Sequence, residues 1–543
     1  MRLRRVKIEN YRSIQRADFT VPALCPLIGT NNCGKSNILR AIDLVLGDSW
    51  PGTRSVDDKD FYGYDPERDI SVSLWFDETR EVSGDLGDPK PFTGIKLVFT
   101  KYKRAEGVKK RGDRRTEFFC IDDNEEPVKV LRKGKGPKPY LAPANVSREI
   151  REALPTVLVD VDRNAAYHLS GGAWSILGRL LKHISQELKT DKARFAEFKS
   201  KFSEAKKVLA TGSFTALQER IVNSLGEQTG LSGVKIDLSD LDPIDIYRSF
   251  FVSFSDPRSP VAVDGERMGA AIQSAVVIAL LQAYADLKGE NAILLFEEPE
   301  LFLAPHGRRH LYRLLRSLAE RGQQVVYTTH SETFIDVAEV ENTRIATLTR
   351  DAGTTVQEPR LAASSDGLTK QLQRLRVFSR WCSEAFFADS VVLCEGDTEA
   401  VAIRELASMR PTKTPVDARN CSIIALPGAD SIAPMMRVVA ALGLPMLVVF
   451  DTDADKTDAH AKATARRRVE EINAAKTHKT VLFPCDPCFE GAAGLPVVAR
   501  VNKPDRMLEH LQASGGWDRL TPRLRELADR VDELAGAADR SRS

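Results

Sequence analysis

The sequence predicts an α/β protein whose chemistry sits at the ends of parallel strands, and three stretches predict it. The first is Gly29-Thr30-Asn31-Asn32-Cys33-Gly34-Lys35-Ser36, two glycines with four residues between them followed by Lys-Ser. It stands after an apolar run, Ala23 to Ile28, and before a helix-like run, Asn37 to Leu46, the context a phosphate-binding loop requires. The second is the apolar run Ala292 to Phe296, which leads into Glu297-Glu298-Pro299-Glu300. The third is the alternation after residue 390, where strand candidates Ser390–Cys394, Ser422–Leu426 and Met446–Phe450 are separated by helical segments.

The chain has 543 residues, too many for one core, and about two to four domains are expected. Hydrophobic content of 42% and charged content of 28% are those of a globular protein, and a net charge of +2 leaves any nucleic-acid surface to be a local stripe. Eight irregularly spaced cysteines do not form a disulfide framework, and the basic start is followed by no apolar segment. A reducing cytoplasm is the expected location. The longest apolar tract, Val438 to Phe450, is broken by Gly443 and Pro445 and reads as helix, turn and buried strand, so no membrane span is expected.

In chain order, Leu3–Asn10 and Asp18–Val21 are strand candidates around a Tyr11-Arg12-Ser13-Ile14 turn, and Ile70–Trp75 and Gly94–Thr100 alternate apolar with polar residues. From Lys101 to Tyr140 the chain turns basic, with Lys103, Arg104, Lys109, Lys110, Arg111, Arg132, Lys133, Lys135 and Lys138 among others, which reads as a hairpin with charged loops. It is either a solvated face or a DNA contact, since such charges act together only if they converge in space. Leu177 to Leu209 has helical periodicity and no proline, as an arm for dimerisation or as helices packed on their own domain.

Each motif implies a role. The loop glycines Gly29 and Gly34 let the backbone N–H groups of Asn31, Asn32 and their neighbours point at phosphate oxygens, while Lys35 supplies a point charge and Ser36 a magnesium ligand. Hydrolysis of ATP needs a second strand that delivers acids: Glu297 to hold magnesium and Glu298 to polarise water. A third strand, Gln324 to Thr329, ends in His330-Ser331, where His330 stands at the spacing of a γ-phosphate sensor. After residue 390, Glu395-Gly396-Asp397-Thr398-Glu399 and Asp451-Thr452-Asp453-Ala454-Asp455 each end an apolar strand. In a parallel sheet these ends lie on one edge, so Glu395, Asp451 and Asp453 meet, and clustered carboxylates repel unless cations hold them. The single pair Cys485-Asp-Pro-Cys488 cannot close a tetrahedral zinc site and is read as coincidence.

The Ile8-Glu9-Asn10-Tyr11-Arg12-Ser13 start, the Gly29–Ser36 loop, the Glu297-Glu298-Pro299-Glu300 strand end and Thr329-His330-Ser331 together resemble ABC-type ATPase heads of the SMC, RecF and OLD (overcoming lysogenization defect) branch. In that family two heads sandwich ATP, each through a signature loop of its partner. The matching stretch is Asp264-Gly265-Glu266-Arg267-Met268-Gly269, which departs from the usual Ser-Gly-Gly form. Glu-Gly-x-Thr-Glu followed by Asp-x-Asp resembles the Toprim domain of topoisomerases, primases and OLD nucleases. The resemblance implies metal ligation by Glu395, Asp451 and Asp453, with Glu395 also a candidate general base. It places Glu399 and Glu490 on a second ion and Lys503 on the phosphate. The Gly428-Ala429-Asp430-Ser431 turn lacks the lysine many relatives carry. No tyrosine follows Tyr327, so hydrolysis fits better than strand transfer.

The resemblance thus implies an OLD-family enzyme: an ABC-type ATPase over 1–380 with a helical arm at about 170–232, a Toprim nuclease domain over 388–515, and a C-terminal helix and frayed tail over 516–543. It implies ATP and Mg²⁺ as cofactors, with Mn²⁺ or Ca²⁺ as substitutes at the Toprim site. DNA is the implied substrate and a homodimer or higher oligomer the implied state. Relatives act in defence against phage, including Gabija-type and retron-associated systems, so a helicase or reverse-transcriptase partner is implied by family alone. The rival readings are a RecF-like or SMC-like DNA-binding scaffold without cutting, and an RNA-cleaving or transfer-RNA-cleaving Toprim effector.

Overall fold

Alternation of buried side chains sets the pairing of the N-terminal strands. β1 (Leu3–Tyr11) buries Leu3, Val6 and Ile8, and pairs antiparallel with β2 (Ile14–Thr20) through the expected turn at 11–14. β3 (Leu24–Ile28) is buried along its length, as a central parallel strand must be. The chain continues through the helix Lys35–Leu46 into β4 (Ile70–Ser83), β5 (Pro89–Lys101), β6 (Arg114–Ile121), the hairpin β7 (Lys129–Arg132) with β8 (Tyr140–Pro143), and β9 (Thr156–Val159). The computed structural model describes residues 1–543 apart from 48, 66, 88, 102–113, 135–137, 162–164, 171, 173–174, 210–241, 249–252, 255–262, 265–268, 289–291, 362–365, 376–381, 410–415, 496–501 and 541–543. Lys103, Arg104, Lys109, Lys110, Arg111, Lys135, most of the signature stretch 264–269 and the distal part of the helical arm lie outside the described residues.

The chain divides into two units, Asp162–Gly289 and the remainder. In the first, the helical stretch is two helices, Ile176–Thr190 and Lys192–Leu209, separated at Asp191, whose carboxylate accepts from the N–H groups of Ala193 and Arg194 and so starts the second helix. This unit also holds the short pair β10 (Ser253–Phe254) and β11 (Val263–Asp264) and the helix Ala270–Lys288.

In the larger unit follow β12 (Ile293–Phe296), the helix Pro305–Glu320, β13 (Gln324–Thr328), β14 (Arg344–Thr349) and β15 (Gly353–Gln357). Among the described residues the sheet order is β6-β5-β4-β1-β2-β15-β14-β3-β13-β12-β9. It is antiparallel from β6 to β14 and parallel from β14 to β9. Ile38, Leu39, Ile42 and Val45 of the helix after the loop pack on the sheet, so the loop rests on rigid elements. Gln324 ties the N-terminus to this core: its side chain accepts from Leu3 N–H at 2.8 Å and donates to the carbonyls of Leu3 and Val21 at 2.7 and 3.0 Å.

The region 351–372 reads as a linker in sequence but carries regular structure among its described residues. β15 pairs with β14 and meets β2 at Ile14, and a helix spans Asp366–Leu375. Gly353-Thr-Thr-Val-Gln carries no apolar alternation because its first two residues are buried against a polar turn and not against a hydrophobic core. Before residue 390 the chain makes a 3₁₀ turn, Ser383–Phe387.

β16 (Ser390–Cys394), β17 (Cys421–Ala425), β18 (Met446–Asp451) and β19 (Thr480–Cys485) form a second, all-parallel sheet in the order β17-β16-β18-β19. One of its faces shares a core with the part built on the first sheet, in which Ile28, Ile335, Val337 and Val340 pack with Val391, Met436 and Val448. The other face is covered by the C-terminal helix Pro522–Arg540 through Leu524, Leu527 and Val531. Leu527 is fully buried. Leu527→Ala should therefore cost about 3 kcal/mol, seen as a lower thermal unfolding temperature, with ATP turnover at low temperature intact.

Candidate active sites

The nucleotide loop lies between β3 and its helix as expected. Gly29 and Gly34 have positive φ, and a Cβ on Gly34 would collide with the side chains of Ser13 and Thr354. Thr354 Oγ1 donates to the Cys33 carbonyl at 2.8 Å, and Asn37 Nδ2 donates to Ser13 Oγ at 2.8 Å, so the Tyr11–Ile14 turn and β15 brace the loop from outside. Lys35 is buried, and its Nζ donates to the carbonyls of Gly29 and Thr30 at 3.1 and 2.9 Å. Burial lowers its pKa, a cost that a phosphate would relieve. The helix starts at Gly34 with no side-chain cap, leaving its first N–H groups for an anion. Asn31, Asn32 and Ser36 are exposed at the mouth.

Parallel pairing of β12 with β13 sets Phe296 beside Tyr327, which puts Glu297–Glu300 next to Thr328–His330. Glu297 is buried; Arg40 Nε stands 3.5 Å from its Oε1, and the Arg40 charge and the nearby Ser36 hydroxyl both favour the ionised carboxylate. That Oε1 has no hydrogen-bond partner among the described residues, and burial raises the carboxyl's pKa. A buried orphaned oxygen beside the loop serine fits a magnesium-nucleotide complex. Glu298 has φ 43, its N–H donates to Thr328 Oγ1 at 3.0 Å, and its Oε1 lies 3.8 Å from His330 Nε2. Burial, then Lys35, holds the His330 pKa below its ordinary value.

The second site occupies the carboxyl ends of β16, β18 and β19. Asp451 N–H donates to Glu395 Oε2 at 3.3 Å across 56 residues of chain, and Phe489 N–H donates to Asp451 Oδ1 at 2.8 Å. Glu399, buried in the first turn of the helix Asp397–Ser408, accepts from Gly396 N–H at 3.0 Å. Lys503 Nζ meets Glu490 Oε1 at 2.5 Å, and Lys456 Nζ meets Asp453 Oδ1 at 3.2 Å. Asp453 takes a left-handed conformation, φ 51, with its N–H on the Pro487 carbonyl. Among the described residues no three of the acids are already set to enclose an ion; two are held by lysines instead. The charges nonetheless bear on one another. Burial, then Glu395 and Glu399, pushes Asp451 up to about 8. Burial, then Glu395 and Glu490, pushes Glu399 up to about 7, and burial with Asp453 raises Glu395. This donor set of hard oxygens, held at the cost of mutual repulsion, fits divalent cations.

Residues 386–453 match the family described as "Overcoming lysogenization defect protein-like, TOPRIM domain", and residues 1–135 with 150–335 match the family "AAA ATPase domain". The chain is 28% identical over 530 residues to an OLD nuclease of Thermus scotoductus, covering 94% of this chain and 95% of that protein. It is 24% identical over 483 residues to the Old nuclease of Escherichia phage P2, covering 83% and 77%. The chain belongs to the AAA ATPase domain family and carries an OLD-like TOPRIM segment. Among solved structures, an SMC head bound to the C-winged helix domain of ScpA has 15% identity and a TM-score of 0.37, covering 66% of this chain and 98% of that one. The SMC head domain from Thermotoga maritima has 14% identity and a TM-score of 0.30, covering 66% and 100%.

Three groups of this ATPase part are not marked in the sequence. Thr354 and Arg40 carry no motif. Glu300 was quoted only as context, yet it is the buried acid that accepts from Thr329 Oγ1 at 2.8 Å and from His330 N–H at 2.7 Å. It therefore sets where His330 stands. Glu300→Ala should lower ATP turnover about 100-fold by displacing His330, with nucleotide affinity retained in equilibrium binding.

The raised Asp451 pKa also has a sign. The folded chain holds a proton that the unfolded chain has released, so stability falls as pH rises from about 4, the unfolded carboxyl value, to about 8. Thermal unfolding in chelator should show that decline. Added Mg²⁺ or Asp451→Asn should flatten it.

Proposed function

We propose that this protein is an ATP-regulated, divalent-metal-dependent DNA endonuclease. The coarser statement, a nuclease joined to an ATPase domain, is supported by both family matches and by relatives called OLD nucleases along most of the chain. The observation that carries the finer reading is the set of carboxylates at the β16, β18 and β19 ends, tied together by the Asp451 N–H on Glu395 Oε2, where burial and then mutual repulsion lift Asp451 to about 8.

Asp451, Asp453 and Glu395 form one ligand set, and Glu399 with Glu490 a second. Divalent ions bound there, Mg²⁺ or Mn²⁺, supply Lewis-acid stabilisation of charge on the attacking and leaving oxygens of an in-line displacement. Glu395, with its pKa raised by burial, is suited to take a proton from the attacking water. Lys503 faces the charge that builds on the phosphate. In the ATPase part, Lys35 and the loop N–H groups hold the nucleotide phosphates, Ser36 and Glu297 its magnesium, Glu298 the attacking water, and His330 the γ-phosphate end. Two heads sandwiching ATP would make the active form a homodimer, and a role in defence against phage agrees with the family.

Purified protein should nick supercoiled plasmid with Mg²⁺ or Mn²⁺, with a rate that changes on adding ATP. Absence of cutting under every condition would falsify the nuclease reading, and cutting of RNA alone would move the substrate to the rival class. Asp451→Ala should abolish cutting, a loss of at least about 1,000-fold, and spare ATP turnover. Lys35→Ala should stop ATP turnover and leave divalent-ion binding at the Toprim end unchanged in calorimetry.

A further inference from the structure

The carboxylates at the ends of β16 and β18 have a cation on each side. On the β19 side it is Lys503, paired with Glu490. On the β17 side it is Arg468, from the helix Ala459–Ala474 that follows β18. Its Nε and Nη2 donate to the two oxygens of Asp430 at 2.8 and 3.0 Å. Asp430 lies in the turn after β17, and that turn is fastened to the site itself, because Gly428 N–H donates to the Glu395 carbonyl at 3.0 Å.

Arg468 is the third of three consecutive arginines, and the other two behave as surface residues. Arg466 pairs along its own helix with Glu470 and Arg467 with Glu471, Arg467 also reaching Asp430 at 4.0 Å without a hydrogen bond, and their side chains are 83% and 64% exposed. The Arg468 side chain is 28% exposed, and its charge bears on Glu395 and Asp453. Asp430 is itself 63% exposed. An ion pair with so exposed a partner contributes little to stability, so bracing the helix is a weak reason for the fork. A guanidinium fork matches two phosphate oxygens as well as two carboxylate oxygens.

We propose that Arg468 is a phosphate-binding residue of the cutting site: it leaves Asp430 for a backbone phosphate of the DNA on the β17 side, opposite Lys503. Asp430 is its resting partner. The assignment rests on the nuclease reading above.

The test uses the full chain as Arg468→Ala, Arg468→Lys and Asp430→Ala. Affinity for a labelled DNA duplex is measured by anisotropy in Ca²⁺ across a range of salt, cutting is measured in Mg²⁺ and Mn²⁺, and ATP turnover and thermal unfolding serve as controls. Arg468→Ala should weaken binding at least about tenfold and make the salt dependence shallower by about one unit. Arg468→Lys should recover part of the affinity. Asp430→Ala should bind as tightly as wild type or more tightly, since it removes a competitor for the guanidinium. Wild-type affinity and salt slope in Arg468→Ala would overturn the assignment. So would parallel losses of binding and unfolding temperature in Arg468→Ala and Asp430→Ala, the signature of a brace. Failure of the wild type to cut DNA while these binding differences hold would count against the nuclease reading and not against the role of Arg468.

Discussion

Carboxylates held out of water at the ends of parallel strands are the constraint around which both sites are built. A buried acid is costly unless hydrogen bonds or cations offset the loss of hydration. Glu300 meets that cost at Oε1, which accepts from Thr329 Oγ1 and the N–H of His330 and so fixes the end of β13, while its Oε2 has no partner among the described residues. Glu297 meets it only in part, through Ser36 and Arg40, and keeps an orphaned oxygen beside the loop. Glu395 and Asp451 share one N–H contact and otherwise repel. What separates them is where the bonded oxygen points: Glu300 fixes its neighbours Thr329 and His330, whereas the bare oxygen of Glu297 stands beside the loop serine.

Parallel topology makes this arrangement available twice. In each sheet the strands that carry acids are buried along their length, so the chain can turn polar only where they end. Neighbouring strands end at the same edge, and residues far apart in sequence become neighbours there, as Glu298 with His330 and Glu395 with Asp451 do.

The local part of this design is readable from sequence. The nucleotide loop, the acidic strand ends and the Glu-Gly-x-Thr-Glu and Asp-x-Asp pairs are short patterns whose chemistry depends on adjacent residues. Groups whose meaning depends on register were not readable. Glu300 matters because Phe296 pairs with Tyr327, and nothing near residue 300 states that pairing. Thr354 sits in a strand whose buried residues are a glycine and a threonine, so no apolar period marks it. Arg468 stands among three arginines on a helix, a pattern shared with any solvated face, and only the fork to Asp430 distinguishes it. The C-terminal helix is legible as a helix, but nothing in its sequence states that its apolar stripe of Leu524, Leu527 and Val531 covers a face of the second sheet.

The two sites are physically continuous. β3 ends in Ile28, one residue before the loop, and Ile28 is buried in a core with Val391 of β16 and Val448 of β18, the strands that end in Glu395 and Asp451. A second connection starts at His330. After it the chain makes a short turn, Glu332–Phe334, whose last carbonyl accepts from the buried Tyr327 hydroxyl at 2.7 Å. The next residue, Ile335, accepts from the buried Ser383 hydroxyl at 3.2 Å, and Ser383 begins the 3₁₀ turn that runs directly into β16. Close-packed cores transmit strain because they lack the voids that would absorb it. Spatial continuity alone does not establish coupling, which needs an element with two arrangements that both sites bias. The segment 330–335 has the position for that element: it carries His330, beside Glu298, at one end and touches the root of the Glu395 strand at the other.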